Sequence, residues 1–222
     1  MISVLALAIP SFFSHSIGPE SSPRVEAMSL GVAAVMILLY VLGLIFTFKS
    51  SKSPITHVGV EEEHHPTWSV KKSVIILALS TVGVVLMSEI LVGSIEHVTE
   101  NLGLSEFFLG IILIPIVGNA AEHLVAITVA GRNKMELSVE IAVSSSLQIA
   151  LFVAPVLVFI SLLMGHPLTL IFNVFELIAL GSGIIVTALV CIDGESNWLE
   201  GAALMCLYLI LGLAFFMLPY GG

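Results

Sequence analysis

Near the middle of an apolar run, residues 110–131, GIILIPIVGNAAEHLVAITVAG, stand an amide, a carboxylate and an imidazole: Asn119, Glu122 and His123. A charge at that depth of a bilayer costs roughly 2.5–3.5 kcal/mol on insertion scales, so the group is expected to face protein, water or an ion rather than lipid. Asn119 and Glu122 are spaced i, i+3, and Asn119 and His123 i, i+4, so on a helix all three project from one side. Pro115 and Gly118 precede them, and both residue types loosen a helix and free backbone carbonyls. A membrane helix broken at Pro115–Gly118 and carrying these side chains suits a cation pathway.

The next apolar stretch supplies more oxygen. Ser144, Ser145 and Gln148 fall at i+3 and i+4 spacings, and the short polar connection 132–137 makes the two stretches an antiparallel pair. Carboxylate, amide and hydroxyl oxygens favour a hard cation such as calcium, which takes six to eight of them, whereas zinc prefers nitrogen or sulfur. Glu122 is the expected calcium ligand, with Asn119, Gln148, Ser144 and Ser145 around it, and His123 is better suited to titrating than to ligating calcium. The serines alone are equally readable as hydrogen-bonding glue between helices. Ser88 and Glu89 lie deep in the stretch 72–97, making Glu89 a way-station for the ion; Glu96 and His97 read as interfacial. Glu176, about eight residues into the stretch 168–191 and with no evident partner, is a lower-ranked pathway residue.

The elements that must hold these residues follow from composition. Of 222 residues, 58% are hydrophobic and only 10% charged, with mean hydropathy +1.12. A soluble domain is about 25% charged, so the chain reads as an all-α, polytopic membrane helix bundle. A spanning helix needs about 20 mainly apolar residues. The stretches 27–48, 72–97, 107–131, 138–164, 168–191 and 198–219 meet that length. Residues 1–26 read as the end of a preceding helix plus a non-cytoplasmic loop, without the basic start or cleavage site of a signal peptide. Cys191 and Cys206 show no metal or disulfide spacing and read as buried free thiols. Seven Lys and Arg residues offer no basic face for nucleic acid.

Lys49, Lys52, Lys71 and Lys72 flank the connection 49–71, and Arg132 and Lys134 occupy the turn two helices later, so six of the seven basic residues share one side. Basic residues concentrate in cytoplasmic loops, which makes 49–71 a cytoplasmic acidic loop. It contains Glu61, Glu62, Glu63, His64 and His65. That run is a solvated charge patch or a loose regulatory site for divalent cations, since carboxylates suit calcium and adjacent histidines suit softer metals.

At these residues the chain resembles the calcium/cation antiporter superfamily, specifically its cation/proton exchanger branch. GNAAEH at 118–123 is similar to that branch's second-repeat motif, and SSSLQIALFVAP at 144–155 to its continuation. SEILVGSIE at 88–96 and DGESNWLEG at 193–201 also resemble branch patterns. The resemblance covers residues 27–219. It implies one repeat, about five to six transmembrane helices, of an inverted-repeat exchanger fold, with 72–219 as a second-repeat domain of five helices. It implies exchange of calcium for protons, Glu122 as the second-repeat ion ligand, and no cofactor beyond the transported ion.

Charge arithmetic gives a further expectation. One carboxylate does not neutralise a desolvated divalent cation, and no second GNAAEH occurs in the sequence. A missing N-terminal repeat or a partner polypeptide is therefore expected to complete the site. The competing readings are a sodium/calcium exchanger half and an inactive membrane fragment. An intramembrane metallohydrolase would need a His or Cys set such as HExxH around an activated water, and none is present. The sequence identifies a multi-pass integral membrane protein and leaves the host membrane, plasma or vacuolar-type, open.

Overall fold

The computed structural model describes residues 2–19, 22–49 and 68–218. The run Glu61–His65 lies outside them. Ten α-helices and two π-helical turns make up the described residues, and no strand occurs among them: α1 (Ile2–Ile17), α2 (Pro23–Lys49), α3 (Val70–Leu102), α4 (Glu106–Phe108), a π-turn (Leu109–Leu113), α5 (Ile114–Gly118), α6 (Ala120–Gly131), α7 (Met135–Gln148), a second π-turn (Ile149–Val153), α8 (Ala154–Leu163), α9 (Val174–Val190) and α10 (Trp198–Phe216). Among the described residues four helical runs, Pro23–Lys49, Val70–Thr99, Met135–Leu163 and Trp198–Phe216, are long and apolar enough to cross a membrane, or five if the bent pair Leu109–Gly118 and Ala120–Gly131 counts as one span. The chain is a multi-pass integral membrane protein. α9, at 17 residues, is shorter than the stretch 168–191, because residues 168–173 are not helical.

The chain divides into two compact units, 1–59 with 120–208, and 60–119 with 209–222. In the first, Leu7, Ala33, Met36, Leu151, Val158 and Leu170 form the buried core. α2 packs on α8 and on the π-turn beneath it, and Tyr40 stacks on Phe152 with ring centroids 5.0 Å apart. The non-helical residues 168–173 reach this core as an extended strap. Unpaired backbone polar groups are costly where water is excluded, and serine hydroxyls meet that need at alternate residues. The N–H of Leu168 donates to Ser161 Oγ at 2.8 Å, that of Leu170 to Ser29 Oγ at 3.1 Å, and that of Phe172 to Ser11 Oγ at 2.8 Å. Alternation is what an extended chain imposes, since successive groups point to opposite sides.

The second unit is built on the first π-turn. Ile112 approaches Gly212 of α10, where an added Cβ would stand 3.9 Å from the Ile112 side chain. Phe108 meets Phe216 edge-on at 5.3 Å, and Ser105 Oγ donates to the Phe215 carbonyl at 3.4 Å. α3 ends in the left-handed Gly103, φ 63°, whose N–H returns to the Thr99 carbonyl. Glycine adopts that conformation without the steric penalty a side chain brings.

The two thiols differ from expectation. Cys191 and Cys206 are free but exposed. In a membrane helix an apolar residue needs no protein cover, because lipid tails are themselves apolar, so apolar flanks do not imply burial within the chain.

Candidate ion site

α5, just before Asn119, and α7 each adjoin a π-turn that is followed by a proline. Pro115 and Pro155 lack an N–H, and their rings oppose the carbonyls four residues back. In each case the preceding turn is widened, so that Ile114 N–H donates to the Leu109 carbonyl and Ala154 N–H to the Ile149 carbonyl. Widened turns of this kind relieve the clash without ending the helix. The break expected at Pro115–Gly118 therefore falls one residue later, at Asn119, and Pro115 is absorbed within the helix. Asn119 leaves helical geometry, with φ −97° and ψ 15°, and caps α5; its N–H donates to the Pro115 carbonyl at 2.9 Å.

α6 begins at the next residue and returns along α7 through a tight turn in which Asn133 takes φ 62°. The partly buried positions of α6 between 121 and 130 are Glu122, Ala126, Val129 and Ala130. That i, i+4, i+7, i+8 pattern is a single helical stripe, and it is the face α6 turns to α7. On α7 the matching stripe includes Ser138, Ile141 and Ser145. At 1.5 Å per residue, Glu122 lies ~13 Å from the turn along α6, Ser144 and Ser145 ~13–15 Å along α7, and Gln148 about one turn further. Glu122 and Ser145 thus share a depth and occupy the faces where the two helices meet. His123, Ser144 and Gln148 are more exposed and lie off these stripes. Asn119 and Glu89 belong to the other unit, and Glu89 is exposed on α3. Among the described residues no group of three or more His, Cys, Asp and Glu gathers that could hold a metal ion. A site here must draw on hydroxyl, amide or carbonyl oxygens.

Three helices open on the same tetrad, Asn-x-x-Glu, in the same register. At α9, Asn173 Oδ1 accepts from Glu176 N–H at 2.9 Å and Glu176 Oε2 accepts from Asn173 N–H at 2.8 Å. At α10, Asn197 Oδ1 accepts from Glu200 N–H at 3.0 Å and Glu200 Oε2 from Asn197 N–H at 3.1 Å. Each is a reciprocal capping box, in which two helix-start donors are satisfied by the side chains. Glu176 is consequently not without a partner, as the sequence suggested; it closes the start of α9. The tetrad at Asn119–Glu122 stands at the start of α6, but Asn119 is not extended there, and its N–H points back to the Pro115 and Val117 carbonyls of α5. The Glu122 carboxylate has no hydrogen bond to any described side chain or backbone group. The capping role of Glu176 was open to sequence reading through this spacing, which hydropathy alone obscures.

A profile of the family described as "Sodium/calcium exchanger protein" matches residues 72–217. The chain is 40% identical over 98% of its length to a Ca2+/H+ antiporter of Aphanothece halophytica, covering 62% of that protein. It is 43% identical to a Ca2+/H+ antiporter of Bacillus subtilis over 97% of its length, covering 61% of it. A vacuolar cation/proton exchanger of Arabidopsis thaliana is 35% identical over 97% of the chain and covered to 52%. The solved structure of native YfkE superposes with a TM-score of 0.79 at 39% identity, over 97% of this chain and 62% of that one. The chain thus spans about three fifths of the length of the first two of these relatives and of that structure. With the profile covering most of the sequence and the matched structure sharing its helical architecture, the chain belongs to the sodium/calcium exchanger family, in the cation/proton exchanger branch of the calcium/cation antiporter superfamily.

Proposed function

We propose that this chain takes part in calcium/proton antiport and that Glu122 is its ion-binding carboxylate. The observation that carries the reading is the contrast among the three Asn-x-x-Glu tetrads: Glu176 and Glu200 are held by helix caps, whereas Glu122 sits unbonded on the face between α6 and α7. An unpaired acidic side chain in a membrane helix is costly unless it has a ligand. The names of the relatives, Ca2+/H+ antiporters, supply the ion pair. Ser145, at a similar distance from the α6–α7 turn, supplies a neutral oxygen of the kind calcium accepts, with Ser144 and Gln148 on the same helix. His123 follows the carboxylate in the sequence and is the second polar side chain of the proposed site. Glu89 is in this reading a way-station for the ion.

In this reading calcium and protons compete for Glu122, each binding once the other has left, and alternating access turns competition into exchange. A second carboxylate comes from a partner repeat or polypeptide, since one negative charge leaves a desolvated divalent ion uncompensated. The connection 49–71 is cytoplasmic, and 72–219 forms one repeat with five membrane crossings. Glu61, Glu62, Glu63, His64 and His65 are a regulatory cation patch on that side.

The test is calcium-45 uptake into inverted vesicles that hold the complete assembly, with Glu122→Gln in place of wild type. The amide keeps the shape and removes the charge and the titrating proton. Uptake is expected at background with expression intact; uptake within about twofold of wild type removes Glu122 from the site, a factor that corresponds to well under 1 kcal/mol.

A further inference from the structure

We propose that the start of α3 is a docking patch for the headgroups of anionic phospholipids, with Trp68 setting its depth and Lys71 and Lys72 taking the lipid phosphate. α3 opens on Ser69, extended at φ −70° and ψ 150°, whose side chain accepts from the Lys72 N–H. The extended N-cap lets the preceding residue lie against the first turn, and the Lys72 ammonium stands 4.9 Å from the centroid of the Trp68 ring. That contact holds a flexible point charge against a rigid amphipathic ring. An ammonium has three donors, so the ring leaves N–H groups for an anion. Lys71, beside it, is exposed.

The apolar pattern sets the depth. Val74–Leu79 is apolar without interruption, and Val74, Ile75 and Leu77 are exposed. In a membrane protein, hydrocarbon covers such positions. With the hydrocarbon edge at Val74, Lys72 and Lys71 lie ~3 Å and ~4.5 Å outside it along the helix axis. The headgroup layer is roughly 5–7 Å thick on each side, so both ammonium groups fall among lipid phosphates. Tryptophan belongs to the same layer, since its ring is apolar and its N–H needs a wet partner. Basic residues at that level attract anionic lipid. The chain carries a formal net charge of −9 and as a whole repels an anionic leaflet, so enrichment of anionic lipid at α3 has to come from a local patch. The rival partner for the two lysines is the acidic run Glu61–Glu63, a few residues upstream.

The test reads Trp68 itself. The chain has two tryptophans, Trp68 and Trp198, so Trp198→Phe leaves Trp68 as the sole indole emitter. That parent variant is reconstituted in vesicles of one fixed phosphatidylcholine and phosphatidylglycerol composition. Bromine, a fluorescence quencher, is carried near the headgroup end of the acyl chains by either the anionic lipid or an equal mole fraction of the zwitterionic one. Brominated phosphatidylglycerol is expected to quench Trp68 at least about twofold more than brominated phosphatidylcholine. The preference should shrink at high salt, disappear when Lys71→Gln and Lys72→Gln are combined, and persist in Lys72→Arg, which keeps the charge and the ring contact. Equal quenching by the two lipids overturns the patch, and is the result if Glu61–Glu63 hold the lysines instead. A preference that survives the double substitution overturns it as well. The salt series carries the same decision on the parent without touching a lysine: a preference unchanged at high salt means that charge does not recruit the lipid.

Discussion

The backbone N–H of Leu170 donates to the Ser29 hydroxyl at 3.1 Å, joining positions 141 residues apart in the sequence. Both groups are buried, Ser29 completely, so water does not replace the bond when one partner is removed. Ser29→Ala is expected to destabilise the chain by roughly 1–3 kcal/mol, the cost of leaving a buried donor unsatisfied. The neighbouring bonds from Leu168 to Ser161 and Phe172 to Ser11 hold the rest of the strap, so the loss should appear as a lower unfolding midpoint in detergent rather than failure to fold. A midpoint unchanged from wild type shows that the hydroxyl is not what holds Leu170.

Glu176 and Glu122 make a matched pair for mutagenesis, because the same tetrad presents one carboxylate to a helix cap and leaves the other unbonded. Glu176→Ala should lower stability by about 0.3–1.5 kcal/mol, the worth of a helix-end device, while calcium uptake by the complete assembly persists. Glu176→Gln should restore the stability, since glutamine serves at N3 of a capping box. Loss of uptake in Glu176→Gln with stability intact places Glu176 on the ion path instead.

How much of this was legible beforehand differs residue by residue. A carboxylate in an apolar run announces itself, and the α6–α7 pairing followed from the short connection after Gly131. The faces did not: only the exposure pattern separates Glu122 and Ser145, on the packed stripes, from His123, Ser144 and Gln148. Pro115 pointed to a break, yet the wide turn before it takes up the strain and Asn119 breaks instead, because a missing N–H tells nothing about whether the helix will widen or stop. Glu176 misled hydropathy reading, since residues 168–172 are mainly apolar and yet not helical; one serine partner, Ser161, is local, but Ser29 and Ser11 come from far away in the sequence, and no local pattern encodes those two. The apolar flanks of Cys191 and Cys206 spoke of lipid rather than of core.

Gly212 tests the second unit. A Cβ built there meets Ile112 at 3.9 Å, ordinary contact distance, so Gly212→Ala should be nearly neutral and even favourable for the helix, where alanine outranks glycine by about 1 kcal/mol. Gly212→Leu has no such room against the π-turn, and overpacking typically costs roughly 1–3 kcal/mol. Thermal unfolding of the two variants should therefore move in opposite directions or differ by several degrees. Equal midpoints show that α10 and the π-turn do not pack through this pair.

Calcium flux by the chain reconstituted alone, with an imposed pH gradient, is expected to be no higher than in protein-free liposomes. The packed stripes of α6 and α7 carry one carboxylate, Glu122, and the hydroxyl of Ser145 at a similar distance from the turn, and no group of three or more His, Cys, Asp and Glu that could hold a metal ion assembles among the described residues. Calcium stripped of water needs six to eight oxygens and close to two negative charges where the dielectric is low. A second copy of the chain in the opposite orientation could supply the other charge, but if 49–71 and the turn at 132–134 are cytoplasmic, as proposed, the basic residues there bias every copy to insert the same way. Co-reconstitution with a polypeptide bearing the other acidic repeat should then restore flux that Glu122→Gln removes. Robust, Glu122-dependent flux from the chain by itself would sink the half-site argument and leave a homomeric exchanger as the explanation.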